Sequence, residues 1–303
     1  MTQMTLLRAF AGKAAPKPDY RQQWLLAYNC QATGLGNCLN LMSDAINVEY
    51  YDPVDFRKHA KKLQERMASF DRVLVAPQFE HSLGVDFSQC AEVWRIPTIA
   101  FSAYHPDICY LSADNKPLKG PLGDYHSLIA YAAFRVGLDP QHAAALYREE
   151  TYAALGYLGR WDRIRDRLLE SFHAHGLDIS EAFVNWSRGE PFMYSLNHPR
   201  IHCLRDLAQC ILTRAGLESS YRSALPHDNM ANGPIYPVFP EIGARLGVDG
   251  HYLFKVGGKY QFLRLEAFIT ASFELYRTHR SVSVAPGFTR QLERALRVVE
   301  NAR

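Results

Sequence analysis

No two of the six cysteines (Cys30, Cys38, Cys90, Cys109, Cys203 and Cys210) form a C-x-x-C pair. The spacing therefore offers neither a zinc knuckle nor a redox dithiol, and no metal is expected. Cys203 and Cys210 fall two helical turns apart, too far for a disulfide, so reduced thiols in a cytoplasmic protein are the simplest reading. Long apolar runs are missing too, which argues against a transmembrane segment and leaves peripheral membrane association open. The first twenty residues lack the continuous apolar stretch of a signal peptide. Net charge is only +3, too small to point to nucleic acid. G-x-G-x-x-G, G-x-x-x-x-G-K-[ST] and G-x-S-x-G are all absent, which removes the dinucleotide fingerprint, the P-loop and the serine nucleophile elbow. Repeats and low-complexity tracts are also absent.

The remaining composition is that of an ordinary globular chain. Its 303 residues suffice for one large core or two modest ones. After an arm over 1–20, strands are expected at 23–28, 47–51, 72–76 and 97–101. Helices at 34–43 and 53–69 and a short helical or loop segment at 88–94 come between them. Such alternation predicts an α/β fold with a small, mostly parallel sheet flanked by helices over 21–122. From 123 to 303 the pattern turns mainly helical, at 125–136, 140–155, 161–175, 179–186, 200–215, 265–279 and 286–300. A β-hairpin is expected around Gly257-Gly258. The second part packs on the first, and 21–303 as one single domain is the alternative.

The densest chemistry lies at Trp24–Asn40. An apolar strand ends at Asn29-Cys30-Gln31 and a helix begins near Gly34. Ligands gather at the carboxyl ends of strands in such sheets, and N–H groups at a helix start can stabilise an oxyanion. A thiol there can have its pKa lowered toward the thiolate. Gly34 and Gly36 with Asn37 permit close approach of a ligand to the backbone. His105 and Asp107 follow the fourth expected strand, as an imidazole with a carboxylate to orient it. Asn197 and His198 precede a helix, where capping is the plain alternative. His126 opens another helix. Gln78 and His81 follow the third strand, and Lys119 sits in a Pro/Gly loop where it can meet phosphate. Residues 160–167 read as a solvated, mixed-charge helix face.

Asn29-Cys30-Gln31, Tyr104-His105-Pro106-Asp107, Tyr125-His126-Ser127 and Phe192-Met193 with Asn197-His198-Pro199, in that order, resemble the WcbI family of polysaccharide-biosynthesis proteins. The resemblance covers about residues 22–215. The family usually shows Gly-Asn-Cys-Gln, and this chain has Tyr28 in the glycine position. The resemblance implies a distant SGNH/GDSL-like fold, with flavodoxin-like layering and cysteine in place of serine. It also implies binding of coenzyme A or acetyl-CoA, and O-acetylation of a sugar in capsule assembly. Carried over by position, Cys30, His105, Asp107 and His198 become catalytic. Gln31, Gly34, Asn37, His126 and Asn197 become oxyanion or substrate contacts. Gln78, His81 and Lys119 are the candidates for cofactor contacts. An esterase or deacetylase using the same residues and a non-enzymatic carbohydrate- or partner-binding protein are the competing readings.

Overall fold

Strand β1 (Gln22–Ala27) runs through the middle of a four-stranded, all-parallel sheet. The computed structural model describes residues 21–220 and 223–302, so the arm expected over 1–20 lies outside the described residues. Helix α1 (Ala32–Met42), strand β2 (Ile46–Tyr51), helix α2 (Pro53–Glu65), strand β3 (Arg72–Val75) and strand β4 (Val93–Arg95) follow. The sheet order is β2-β1-β3-β4. Succession reverses between β1 and β3, so the loops leaving these two strands diverge and open a crevice at their carboxyl ends.

Alternation along β1 explains the layers. Trp24, Leu26 and Tyr28 join the larger apolar cluster with Leu35 and Leu39 of α1. Leu25 and Ala27 face the other way, onto Phe56 and Leu63 of α2. Asp52 starts α2, its carboxylate accepting from the N–H groups of Val54 and Asp55 at 2.8 and 2.9 Å, with Pro53 next to it.

The fourth strand is displaced from its expected place. Residues 97–101 form no strand and lie outside the sheet, and β4 forms at 93–95 instead. Pro97 supplies no donor for a ladder, and the backbone of Ile99 bonds to a side chain instead of to a strand.

Short strands β5 (Ile108–Cys109), β6 (Leu111–Ala113), β7 (Lys116–Pro117) and β8 (His126–Ser127) come next. Pairing of β8 with β5 delays helix α3 to Leu128–Arg135, where the Ser127 hydroxyl accepts from the Ala130 N–H at 3.0 Å. The helix expected over 140–155 is two, α4 (Pro140–Ala144) and α5 (Glu149–Leu155). A tight turn between them buries Leu146 and Tyr147 in succession.

The chain continues through α6 (Trp161–His173), α7 (Ser180–Trp186), strands β9 (Met193–Ser195) and β10 (His198–Pro199), α8 (Ile201–Arg214) and α9 (Pro240–Leu246). The hairpin β11 (Leu253–Lys255) and β12 (Phe262–Arg264), helix α10 (Leu265–Arg277), strand β13 (Val282–Val284) and helix α11 (Thr289–Asn301) complete it. Helix α8 packs on α1, and β13 joins β6 and β7 in a separate small sheet. One apolar cluster extends from Trp24 to Val299. No helix among the described residues is long and apolar enough to cross a membrane.

Candidate functional site

The turn after β1 is set by Asn29. Its Oδ1 accepts the Gln31 N–H at 2.9 Å and its carbonyl accepts the Ala32 N–H at 2.9 Å, so the chain enters α1 directly. Cys30 stands at the apex and is exposed, whereas the other cysteines are buried or, for Cys210, partly so. The expected lowering of its pKa does not occur. Protein atoms crowd the sulfur and push the thiol up to about 11, helped by the charge of Asp52. The N–H groups of Cys30 and Gln31 pull the other way and are outweighed. The group is therefore a neutral thiol at pH 7. Three phenols feel its charge: Tyr28, Tyr110 and Tyr125, all raised chiefly by burial.

Gln31 is fully buried, and both of its amide hydrogens are engaged within the protein. Its Nε2 donates to the carbonyls of Ile99 and Asn197 at 2.8 and 3.0 Å, and its Oε1 accepts the Ile99 N–H at 3.2 Å. This amide ties the turn after β1, the segment after β4 and the β9–β10 hairpin together. Asn197 is likewise engaged. Its Oδ1 accepts the Tyr125 hydroxyl at 2.6 Å and the Ser195 hydroxyl at 3.3 Å.

His198 lies edge-on to the Tyr125 ring, 5.6 Å between centroids. Its Nδ1 is buried with no hydrogen-bond partner, and burial pushes its pKa down to about 4. Tyr125 therefore packs against a neutral imidazole on one side and feels the Cys30 sulfur electrostatically. Such an imidazole can accept a proton.

Asp107 does not orient His105. Its carboxylate accepts from Ile129 N–H at 3.0 Å and from the hydroxyls of Tyr157 and Tyr236 at 3.1 and 2.8 Å. Burial holds it at about 6 despite those donors. It is a buried tether between loop, helix and C-terminal segment. His105 is buried with Nδ1 unpartnered, and burial pushes it down to about 3. It lines a cleft of about 430 Å³ together with Ser102, Arg160 and Arg167. The expectation that 160–167 is merely solvated is corrected at Arg160, which is half-buried in that wall.

His126 is a core residue, not a substrate contact. Nε2 reaches the Leu118 carbonyl at 2.9 Å and Nδ1 the Tyr276 hydroxyl at 3.2 Å. Gly34 and Asn37 lie inside α1 and do not form an oxyanion loop. A Cβ on Gly34 would stand 2.5 Å from Leu204 Cδ1, so this glycine lets α8 approach α1. Asn37 accepts from the Tyr50 hydroxyl at 2.9 Å. Of the expected cofactor contacts, Gln78 donates to Thr98 Oγ1 at 3.1 Å and Lys119 pairs with Asp124. His81 lies in a separate exposed groove with Glu80 and Arg95. Sequence reasoning passed over Tyr110 and the tyrosines around Asp107. Tyr125 stood in a quoted motif but was given no role, and nothing in the local pattern marks Tyr236.

A family model described as polysaccharide biosynthesis enzyme WcbI matches residues 23–220. The chain belongs to the WcbI family. A solved WcbI structure, described as a novel polysaccharide biosynthesis enzyme in its native form without a disulfide bond between CoA and a cysteine, shares its fold. The TM-score is 0.63 at 14% identity, over 92% of this chain and 99% of that one. No curated relative matches. The family match takes in the Cys30 turn, Asp107, Tyr125 and the β9–β10 hairpin, and stops before Tyr236.

Proposed function

We propose that this WcbI-family chain transfers an acyl group from a CoA thioester to a sugar hydroxyl during assembly of a capsular or surface polysaccharide. The observation that carries the reading is Cys30, an exposed thiol in the turn between β1 and α1, within electrostatic reach of Tyr125, against whose ring the imidazole of His198 packs edge-on with its Nδ1 unpartnered. The related enzyme is described in its native form as without a disulfide bond between CoA and a cysteine, which names both partners of such a bond. A thiol as accessible as Cys30 fits a CoA sulfur held next to it. The six free cysteines suit a reducing, cytoplasmic setting.

Cys30, protonated at neutral pH, lines the thioester position. His198 takes the proton of the sugar hydroxyl as the hydroxyl oxygen bonds to the acyl carbon and the carbon–sulfur bond breaks. The released thiolate takes that proton from the His198 imidazolium, leaving free CoA thiol and a neutral ring. The hydrogen bond from Tyr125 to Asn197 fixes the ring against which the imidazole packs. Gln31 holds the loops and touches no substrate.

The test is acetyl transfer from acetyl-CoA to a panel of capsule-type sugars, with release of free CoA followed in parallel. His198→Ala should lose transfer and keep its fold. CoA release that does not depend on a sugar acceptor would assign the site to hydrolysis instead.

A further inference from the structure

Arg160 stands at the start of α6, and Arg163 and Arg167 follow at three- and four-residue steps, so all three share one side of the helix. The carboxylates of that stretch are taken: Asp162 and Asp166 both pair with Arg165, at 2.8 Å each. Arg163 and Arg167 have no carboxylate partner among the described residues. Arg160 donates through Nη1 to the Pro106 carbonyl at 3.3 Å, and its Nε is buried without a partner. It faces repulsion from both other guanidinium groups.

Arg160 and Arg167 open onto the 430 Å³ cleft, where Ser102, Ser171 and Gln291 add hydrogen-bonding groups and, among the described residues, no carboxylate lines the wall. Clustered like charges with no counter-charge raise one another's electrostatic cost, and a multivalent anion relieves it. A guanidinium matches phosphate geometry through paired N–H donors. Phe288 forms part of the same wall and packs edge-on to Tyr110 at 5.6 Å, and the Tyr110 phenol lies within electrostatic reach of Cys30.

We propose that this cleft binds a phosphate-bearing ligand, with the half-buried Arg160 as the anchor and Arg167 as the clamp at its mouth. The identity of that ligand as the acyl donor rests on the function proposed above. A sugar nucleotide carries the same chemistry and is the other source.

Titration calorimetry of the full chain with inorganic pyrophosphate tests it. Binding is expected in the parent and should weaken about tenfold or more in Arg160→Gln and in Arg167→Gln. Arg167 is exposed, so its variant should melt like the parent. Adenosine 3′,5′-bisphosphate and UDP-glucose, used as competitors, then separate the two sources. Absent pyrophosphate binding, equal binding by both variants, or displacement by neither competitor overturns the proposal. Transfer from phosphate-free S-acetylpantetheine reports on the thiol and imidazole independently. Its failure alongside intact pyrophosphate binding would sink the acyl-transfer reading and leave this cleft standing.

Discussion

The side-chain amide of Gln31 meets the backbone of Ile99 as a neighbouring strand would, donating to its carbonyl at 2.8 Å and accepting its N–H at 3.2 Å. The second amide hydrogen reaches the Asn197 carbonyl at 3.0 Å. Replacing Gln31 with Leu leaves these buried backbone groups without partners. We expect a loss of about 2–4 kcal/mol, near 1 per bond plus desolvation, read by urea denaturation. An unchanged midpoint would mean that the three loops are held by packing alone.

Cys30 is accessible but not ionised at neutral pH, with its pKa at about 11. Iodoacetamide should label it before the other cysteines, slowly at pH 7. The rate should rise about tenfold per pH unit up to the thiol's own pKa. A rate already flat above pH 7, followed by mass spectrometry, would show a thiolate instead.

His198 is neutral above about pH 4. As the base, it should keep kcat level on acidification from pH 8 to 5 and lose it only as the ring protonates near pH 4. Folding stability follows a related course. The unfolded imidazoles of His105 and His198 take up protons near pH 6.5, and the folded ones only near 3 and 4. Stability from this pair is therefore complete above pH 6.5 and declines as pH falls toward 4. Asp107 opposes part of that trend. With its folded pKa raised to about 6, its contribution is present below about pH 4 and is lost as pH rises from 4 to 6. Removing Asp107 should thus steepen the fall in urea midpoint between pH 6 and 4.

Asp107→Ala should destabilise the chain by about 2–5 kcal/mol, because Tyr157, Tyr236 and the Ile129 N–H lose a buried acceptor. His198→Ala should cost far less stability and abolish transfer. Thermal melts and turnover measured on the same samples separate the two roles. A normally stable Asp107→Ala protein with no activity would return the carboxylate to the chemistry.

Gly34→Ala should cost about 1–3 kcal/mol, since the new methyl meets Leu204 Cδ1 at 2.5 Å. Adding Leu204→Ala should recover part of that loss. Strict additivity in the double-mutant cycle would show that the two residues do not touch.

The sequence exposed β1, β2 and β3 because each carries a compact apolar run bounded by turn residues. The fourth strand was misplaced because Pro97–Phe101 has the apolar look of a strand but borrows its partners from Gln31, which only tertiary structure reveals. The thiol turn was legible from Asn29-Cys30-Gln31 itself. The roles of Asp107 and His126 were not, since each is decided by tyrosines 50 to 150 positions away. Polar residues near a strand end look alike in sequence whether they face solvent or a ring of phenols.

The clasp on Asp107 draws one of its phenols, Tyr236, from beyond residue 220, where the family match stops. A fragment trimmed to the matched segment would keep every group assigned to chemistry yet forfeit the far end of the brace behind them. For this chain, the smallest recognisable unit is shorter than the smallest unit that holds its site in place.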